Sequence, residues 1–434
     1  MPETAKRDGD VLARWAWTER AVWTERMLTA LETGVKGGRW YSLMDKVHAA
    51  ANLRAAFTGV KANGGAAGVD RVTISDFEAH LEANLTALGE ALRSGTYRPQ
   101  AIRRVEIPKP GKRNETRPLG IPTVRDRVAQ AAVRHVVEPI FERDFAAGSY
   151  GFRPNRSAKD ALRRVTALLK DGHPWVVDAD LRKYFDTIPP DRLMGLVEAK
   201  VADGRVLALL RGYLTQEVLA GAERWTPERG IPQGAVISPL LANIYLDPLD
   251  HAMAQAGYEM VRYADDFVIL CRSRDEAEAA LRAVQGWVAD ADLALHPEKT
   301  RIVDATQPGG FDFLGYHFER SGRWPCRRSL DRFQDALRER TKRTSGQSLD
   351  AIITGLRPML RGWFEYFKHS RPYTFQRLDT WLRMRLRSLL RRRLGLRGRG
   401  RGADHHRWPN AFFAAHGLYS LTAAYVAARQ PSRR

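Results

Sequence analysis

Apolar residues recur along this 434-residue chain with two different periods, and the changes of period divide it into segments. In the first thirty-five residues Trp15, Trp17, Trp23, Met27 and Leu31 stand among charged positions, a helical pattern that Gly37 and Gly38 interrupt. A second helical stretch is predicted from about Ser42 to Lys61, closed by a loop at Gly64, Gly65 and Gly68. Phe77, Leu81, Leu85, Leu88 and Leu92 share one face of a third helix. From Tyr97 to Pro122 short apolar pieces alternate with Pro, Gly and basic residues, which predicts strands and loops. The helical period returns from Val128 to Phe145.

The middle of the chain mixes both periods. Trp175 to Leu181 is predicted as a short strand carrying acids and Leu193 to Leu214 as a helix. Val261 to Cys271 reads as two strands meeting at an acidic turn, followed by a helix from Glu276 to Ala289 and a strand near Thr300 to Val303. This alternation predicts an α+β domain around a small sheet. Beyond about Arg320 the strand pattern fades, and Leu330 to Arg393 is predicted helical and rich in Arg and aromatics. Residues 395–402, GLRGRGRG, are expected to be a flexible linker before a short aromatic segment from Trp408 to Arg429. No internal repeat interrupts this order.

Composition narrows the classes. With 44% hydrophobic residues the chain can form several cores, so two to four domains are expected. Lys+Arg 70 against Asp+Glu 50 leaves a net charge of +20, a balance that attracts polyanions, of which nucleic acid is the commonest. No apolar run is long enough to span a bilayer, and no lipidation signal is found, so no membrane partner is expected. Met1 to Asp10 is polar and lacks a signal-peptide core, and a cytosolic location is expected. Cys271 and Cys326 are the only cysteines; they imply no disulfide framework and make a poor zinc site.

The strongest chemical signal is Tyr263-Ala264-Asp265-Asp266, followed by the apolar run Phe267 to Leu270. Adjacent carboxylates at a strand turn repel each other and are costly to bury unless a cation neutralises them. Hard oxygen ligands suit Mg²⁺. The competing assignment is a solvated Asp-Asp turn. A second acidic segment, Val176-Val177-Asp178-Ala179-Asp180-Leu181, puts Asp178 and Asp180 on one strand face. Two-metal phosphoryl transfer needs several converging carboxylates, which Asp180 with Asp265 and Asp266 could supply. Alternation alone does not choose between Asp178 and Asp180.

Eight blocks then occur in a specific order. They are Arg104-Val105-Glu106-Ile107-Pro108-Lys109; Arg117 to Arg127 with Arg117-Pro118-Leu119-Gly120-Ile121-Pro122; Ser149-Tyr150-Gly151-Phe152-Arg153-Pro154; and Asp180-Leu181-Arg182-Lys183-Tyr184-Phe185-Asp186. Next come Gly230-Ile231-Pro232-Gln233-Gly234 with Ser238-Pro239-Leu240-Leu241-Ala242-Asn243, the Tyr263 to Asp266 box, Leu295-His296-Pro297-Glu298-Lys299-Thr300, and Phe313-Leu314-Gly315-Tyr316. Together they resemble a reverse transcriptase of the group II intron maturase family over about residues 35 to 375.

The resemblance implies an α+β right-hand polymerase fold, with fingers and palm, a helical N-terminal extension and a helical thumb. The expected domains are an extension over 1–90, fingers and palm over 91–320, a thumb or maturase domain over 321–394, and a basic linker with a nucleic-acid-binding tail over 395–434. It further implies that Asp180, Asp265 and Asp266 are the catalytic metal ligands, which selects Asp180 over Asp178. Phe185, five residues after Asp180, matches the bulky side chain beneath the incoming sugar. Gln233 matches a residue near the nucleotide, Lys109 and Arg117 match fingers residues on the triphosphate, and Lys299 matches a basic residue bordering the palm. The cofactor implied is Mg²⁺, two ions, with Mn²⁺ able to substitute. The partners implied are intron RNA, an RNA template with DNA primer, dNTPs and target DNA. The activity implied is RNA-directed DNA synthesis together with assistance to splicing.

Between Trp381 and Arg401 there are nine arginines and no acid. Leu382, Leu386, Leu389, Leu390 and Leu394 give that segment an apolar side, so Arg391, Arg392 and Arg393 are expected on a phosphate-binding side. The Gly355 to Lys368 stretch resembles the family's thumb helix. The C-terminal region holds His405 and His406 without nearby cysteine, so no HNH endonuclease is expected. The alternatives are a CRISPR-associated or diversity-generating reverse transcriptase, which shares the polymerase site, and an RNA-binding splicing cofactor without polymerase activity.

Overall fold

The computed structural model describes residues 11–108, 116–319, 322–400 and 402–430. In chain order its strands are β1 (Ile102–Pro108), β2 (Thr116–Ile121), β3 (Trp175–Asp180), β4 (Val218–Ala220), β5 (Glu223–Trp225), β6 (Glu259–Tyr263), β7 (Asp266–Cys271), β8 (Arg301–Asp304), β9 (Phe311–Phe313), β10 (Tyr316–Glu319) and β11 (Gly322–Pro325). The chain divides into two units, one drawn from Met1–Lys109, Asn114–Leu168 and Val177–Ile302, the other from Pro110–Arg113, Leu169–Val176 and Val303–Arg434.

Two sheets organise the first unit. One runs β2-β1-β4-β5, with β1 and β2 antiparallel and Arg103 opposite Ile121. The other runs β6-β7-β3-β8. In that sheet Phe267 to Cys271 are completely buried, as a central strand covered on both faces must be. The Ser238–Gln255 helix packs on β6 and the Arg274–Asp290 helix on β7. This burial of β7 is what carries the acidic turn at its start into the interior edge of the sheet.

Several helices predicted as single break in two, each at a residue whose side chain or backbone satisfies a new helix start. The Leu193–Leu214 stretch forms Pro190–Glu198 and Gly204–Leu214. Asp203 caps the second, accepting from the Arg205 and Val206 N–H groups at 3.0 and 3.2 Å, and also takes the Leu43 and Met44 N–H groups at 2.6 and 2.9 Å. A cap shared between two segments outweighs an uninterrupted helical period. The Phe77–Leu92 stretch similarly divides at His80 into Ile74–Ala79, with a Thr73/Asp76 capping box, and Leu81–Ser94.

In the second unit the strands do not end where the sequence pattern fades. Beyond β8, β9 to β11 form an antiparallel sheet ordered β11-β10-β9, with Phe311 and Phe318 stacked at 5.1 Å. Its partner is the Leu349–Phe367 helix: the Tyr316 hydroxyl donates to the Tyr366 carbonyl at 2.7 Å and the Tyr366 hydroxyl to the Leu314 carbonyl at 2.8 Å. Helices Arg327–Arg340, Leu349–Phe367 and Pro372–Arg393 share one core that also takes in Trp408, Phe413, Leu421 and Tyr425. The C-terminal segment thus completes this core. Asp379 holds it by accepting from Ser420 Oγ at 2.8 Å and from the Leu421 and Thr422 N–H groups at 3.0 Å.

The Gly-Arg stretch expected as a flexible linker is instead held. The Gly400 N–H donates to Ser388 Oγ at 3.2 Å, and Arg391 Nε donates to the Arg397 carbonyl at 2.8 Å. A Cβ on Gly400 would lie 2.7 Å from Arg387 Cβ, so the glycine permits a close approach that its composition alone does not reveal.

Candidate active site

The antiparallel pairing of β6 with β7 ends at Tyr263 opposite Asp266, leaving Ala264 and Asp265 as the turn. Ala264 has φ +60°, a conformation costing a non-glycine residue about 1–3 kcal/mol. The neighbouring strand β3 alternates as its pattern predicts: Val176, Val177 and Ala179 are buried, while Asp178 and Asp180 are half-buried. Because β7 and β3 are adjacent, the sheet brings the turn's acids and the β3 acids together.

Electrostatics records that proximity. Burial, then Asp178, Asp265 and Asp180 in that order, push the Asp266 carboxyl up to about 7. Burial is also the main cause raising Asp265, with Asp180 adding to it and Lys299 and Arg262 opposing it. The Asp180 carboxylate is engaged by Lys299 Nζ, and Asp178 by Arg301 Nε at 3.3 Å. Among the described residues, no three carboxylate, imidazole or thiol groups stand closely enough to hold a metal ion as they are placed. The donor chemistry nonetheless fits a hard divalent cation. Carboxylates that raise one another's proton affinity in a half-buried site are the groups a cation relieves.

This has a measurable consequence without metal. A carboxyl held at about 7 when folded and near 3.8 when unfolded leaves the folded state with more bound protons between those values. Its stabilising contribution is complete below the unfolded value and is lost as pH rises through about 7. Metal-free protein should therefore show a Tm decrement across this window that Asp266→Asn removes. Equal pH slopes for both proteins in chelator would contradict it.

The nucleotide-side candidates are partly gathered here. Tyr184 is buried and its hydroxyl donates to the Ala242 carbonyl at 2.6 Å. Phe185 is half-buried, and its carbonyl accepts from the Ile231 N–H at 2.7 Å. Gln233 Nε2 donates to Asp186 Oδ1 at 3.0 Å, and its carbonyl accepts from the Gly120 N–H of β2 at 2.7 Å. These bonds link the Pro-Gln-Gly block both to the segment after Asp180 and to the β1–β2 sheet. Arg117 lies exposed on β2 opposite Ile107. Lys109 lies outside the described residues.

The basic helix Pro372–Arg393 belongs to the second unit, and its arginines are not all on an open face. Arg385 donates to Thr341 Oγ1 at 2.8 Å, Arg387 to the Trp408 carbonyl at 2.9 Å, and Arg391 to Asp404 at 2.9 Å. Arg393 donates to the Gln347 carbonyl, and Arg392 is exposed. The leucine spacing predicts these arginines on one phosphate-binding side; the structure turns several of them to backbone carbonyls and polar side chains supplied from elsewhere in the chain.

One group the sequence did not single out is Arg262, completely buried one residue before the Tyr263 to Asp266 box. Its Nε donates to both Asp250 oxygens at 2.8 and 3.0 Å. Its position inside a strand next to the acidic box is the sole sequence signal, since a buried arginine demands a partner.

A family model described as "Reverse transcriptase (RNA-dependent DNA polymerase)" matches residues 107–318, and one described as "Group II intron, maturase-specific domain" matches residues 330–408. Protein YkfC of Escherichia coli (strain K12) is 36% identical over 293 residues, covering 58% of this chain and 76% of that protein. The group II intron-encoded protein LtrA of Lactococcus lactis subsp. cremoris is 38% identical over 174 residues, covering 40% of this chain and 29% of LtrA. Among solved structures, a telomerase from Candida albicans in complex with a fragment of telomeric RNA covers 74% of this chain and 64% of that chain, at 13% identity and a TM-score of 0.40. No helix among the described residues is long and apolar enough to cross a membrane.

Proposed function

Because the chain belongs to the group II intron reverse transcriptase and maturase family, we propose that Asp180, Asp265 and Asp266 form the polymerase centre of an RNA-directed DNA polymerase that copies RNA into cDNA and binds intron RNA. The observation that carries this reading is the juxtaposition of β3 and the β6–β7 turn, which puts the acids of two distant segments at one sheet edge. Two Mg²⁺ ions, when bound, would activate the primer 3′-hydroxyl and neutralise the leaving pyrophosphate.

The protein's own part is positioning and charge. Asp180, Asp265 and Asp266 are the residues that would hold the ions, and Lys299, which engages the Asp180 carboxylate, is the basic residue bordering them. In this reading Phe185 would meet the sugar, Gln233 would border the nucleotide, and Arg117 and Lys109 would serve the phosphates. The match spans 29% of LtrA's length, and splicing assistance and target-DNA binding are part of the same proposal. The test is primer extension by the full chain on an RNA template with dNTPs and Mg²⁺. Incorporation that depends on both template and metal supports the reading, and its absence with intact RNA binding points to a splicing cofactor.

RNA binding by the basic helix should divide between its arginines. Arg392→Ala should lower the slope of log K against log salt by about 0.7–0.9, the value of one lost phosphate contact. Arg391→Ala should instead lower stability by about 1–3 kcal/mol, because it removes the 2.9 Å ion pair to the buried Asp404 and the bond to the Arg397 carbonyl. Filter binding across a salt series and thermal melts check both, and an unaltered slope for Arg392→Ala takes that residue off the interface.

A further inference from the structure

We propose that Arg262 is the positioning residue of the acidic turn: by holding the Ala264 carbonyl it fixes the peptide from which Asp265 and Asp266 project toward a bound cation. This rests on the polymerase reading of that turn. Arg262 could satisfy its charge through Asp250 alone, with which it makes two bonds from Nε. The guanidinium does more. Nη1 donates to the Ala264 carbonyl at 2.9 Å and to Asn243 Oδ1 at 3.0 Å, and Nη2 donates to Ser149 Oγ at 2.9 Å.

Asn243 Nδ2 in turn donates to the Gly151 carbonyl at 2.8 Å. The segment it holds runs beside β6, with the Tyr150 N–H on the Arg262 carbonyl at 2.8 Å and the Arg262 N–H on the Gly148 carbonyl at 2.9 Å. It ends directly against the turn, where a Cβ on Gly151 would lie 2.2 Å from the Ala264 nitrogen. The strained turn is therefore gripped by a side chain within the fold and by backbone alongside. A planar fork can serve Asp250, Asn243, Ser149 and the turn at once, whereas a lysine ammonium is a single point. Ser149, Asn243 and Ala264 belong to three separate blocks of the sequence, and this guanidinium is where they meet.

The test measures Mn²⁺ binding through the EPR signal of the free ion, alongside primer extension and thermal melting of each full-length variant. Arg262→Lys should weaken Mn²⁺ binding by about 10–100-fold, as losing a partner that orients ligands does, and lower kcat while KM for primer–template holds. Arg387→Lys alters another buried arginine, whose Nε donates to the Trp408 carbonyl at 2.9 Å in the second unit, and measures the effect of a lost buried guanidinium alone. Adding Ala264→Gly to Arg262→Lys removes the strain at positive φ and should recover Mn²⁺ affinity. Wild-type Mn²⁺ affinity in folded Arg262→Lys, or an equal loss in Arg387→Lys, overturns the proposal. If Arg262→Lys does not fold, Asn243→Ser leaves the Asp250 pair in place, and unchanged Mn²⁺ affinity there overturns it equally. Wild-type protein that neither binds Mn²⁺ nor extends a primer overturns the polymerase assignment itself.

Discussion

Asp265→Asn should reduce primer extension by about a thousandfold or more while RNA affinity stays at the wild-type value. The substitution keeps the shape of the side chain and removes one negative charge from the turn. In a site where catalysis is charge stabilisation, no neighbouring group replaces a lost metal carboxylate. RNA affinity depends on phosphate contacts from Lys and Arg, none of which this change touches. Thermal stability of the metal-free protein should hold or rise, because burial already raises the Asp265 carboxyl and an amide is cheaper to bury. Asp180→Asn should match the loss, whereas Asp178→Asn should retain far more activity, since the family resemblance assigns the metal to Asp180 and not to Asp178. Single-turnover extension with Mg²⁺ measures all three. Robust synthesis by Asp265→Asn removes the turn from the catalytic centre, and an equal loss in Asp178→Asn assigns that residue to it.

Phe185→Ala should admit ribonucleotides, lowering discrimination between dNTP and rNTP by about 10–200-fold. The two substrates differ by one 2′-hydroxyl, and a ring beneath the sugar rejects that oxygen sterically. Of the adjacent aromatics, Tyr184 is buried with its hydroxyl on the Ala242 carbonyl, which leaves the half-buried Phe185 to meet a nucleotide. Tyr184→Ala would open a core cavity costing about 3–5 kcal/mol and confuse the comparison, so Tyr184→Phe is the appropriate control. It should keep wild-type selectivity. Single-nucleotide incorporation of matched dNTP and rNTP by both variants gives the ratio of kcat/KM values. An active Phe185→Ala enzyme with wild-type selectivity places the gate elsewhere.

Much of this molecule is determined locally and could be read from the chain. The alternation of Val177, Ala179 and the β3 acids fixes which side chains face the core, because a strand's period is two regardless of its neighbours. The apolar run Phe267 to Leu270 fixes a central strand, and with it the location of the acidic turn. The ordered blocks fix the family. Tertiary structure decided what depends on partners remote in sequence. Asp203 starts a second helix where the pattern predicts one continuous helix, and its carboxylate also holds the Leu43 and Met44 N–H groups. Arg385, Arg387 and Arg391 turned inward because Thr341, Trp408 and Asp404 offered acceptors, although their spacing alone suggested an open basic face. Arg262 became the meeting point of three separated blocks because a buried guanidinium must satisfy its donors wherever the fold supplies oxygens. Periodicity records which side of an element is buried; it holds no record of which distant polar group a buried charge will find.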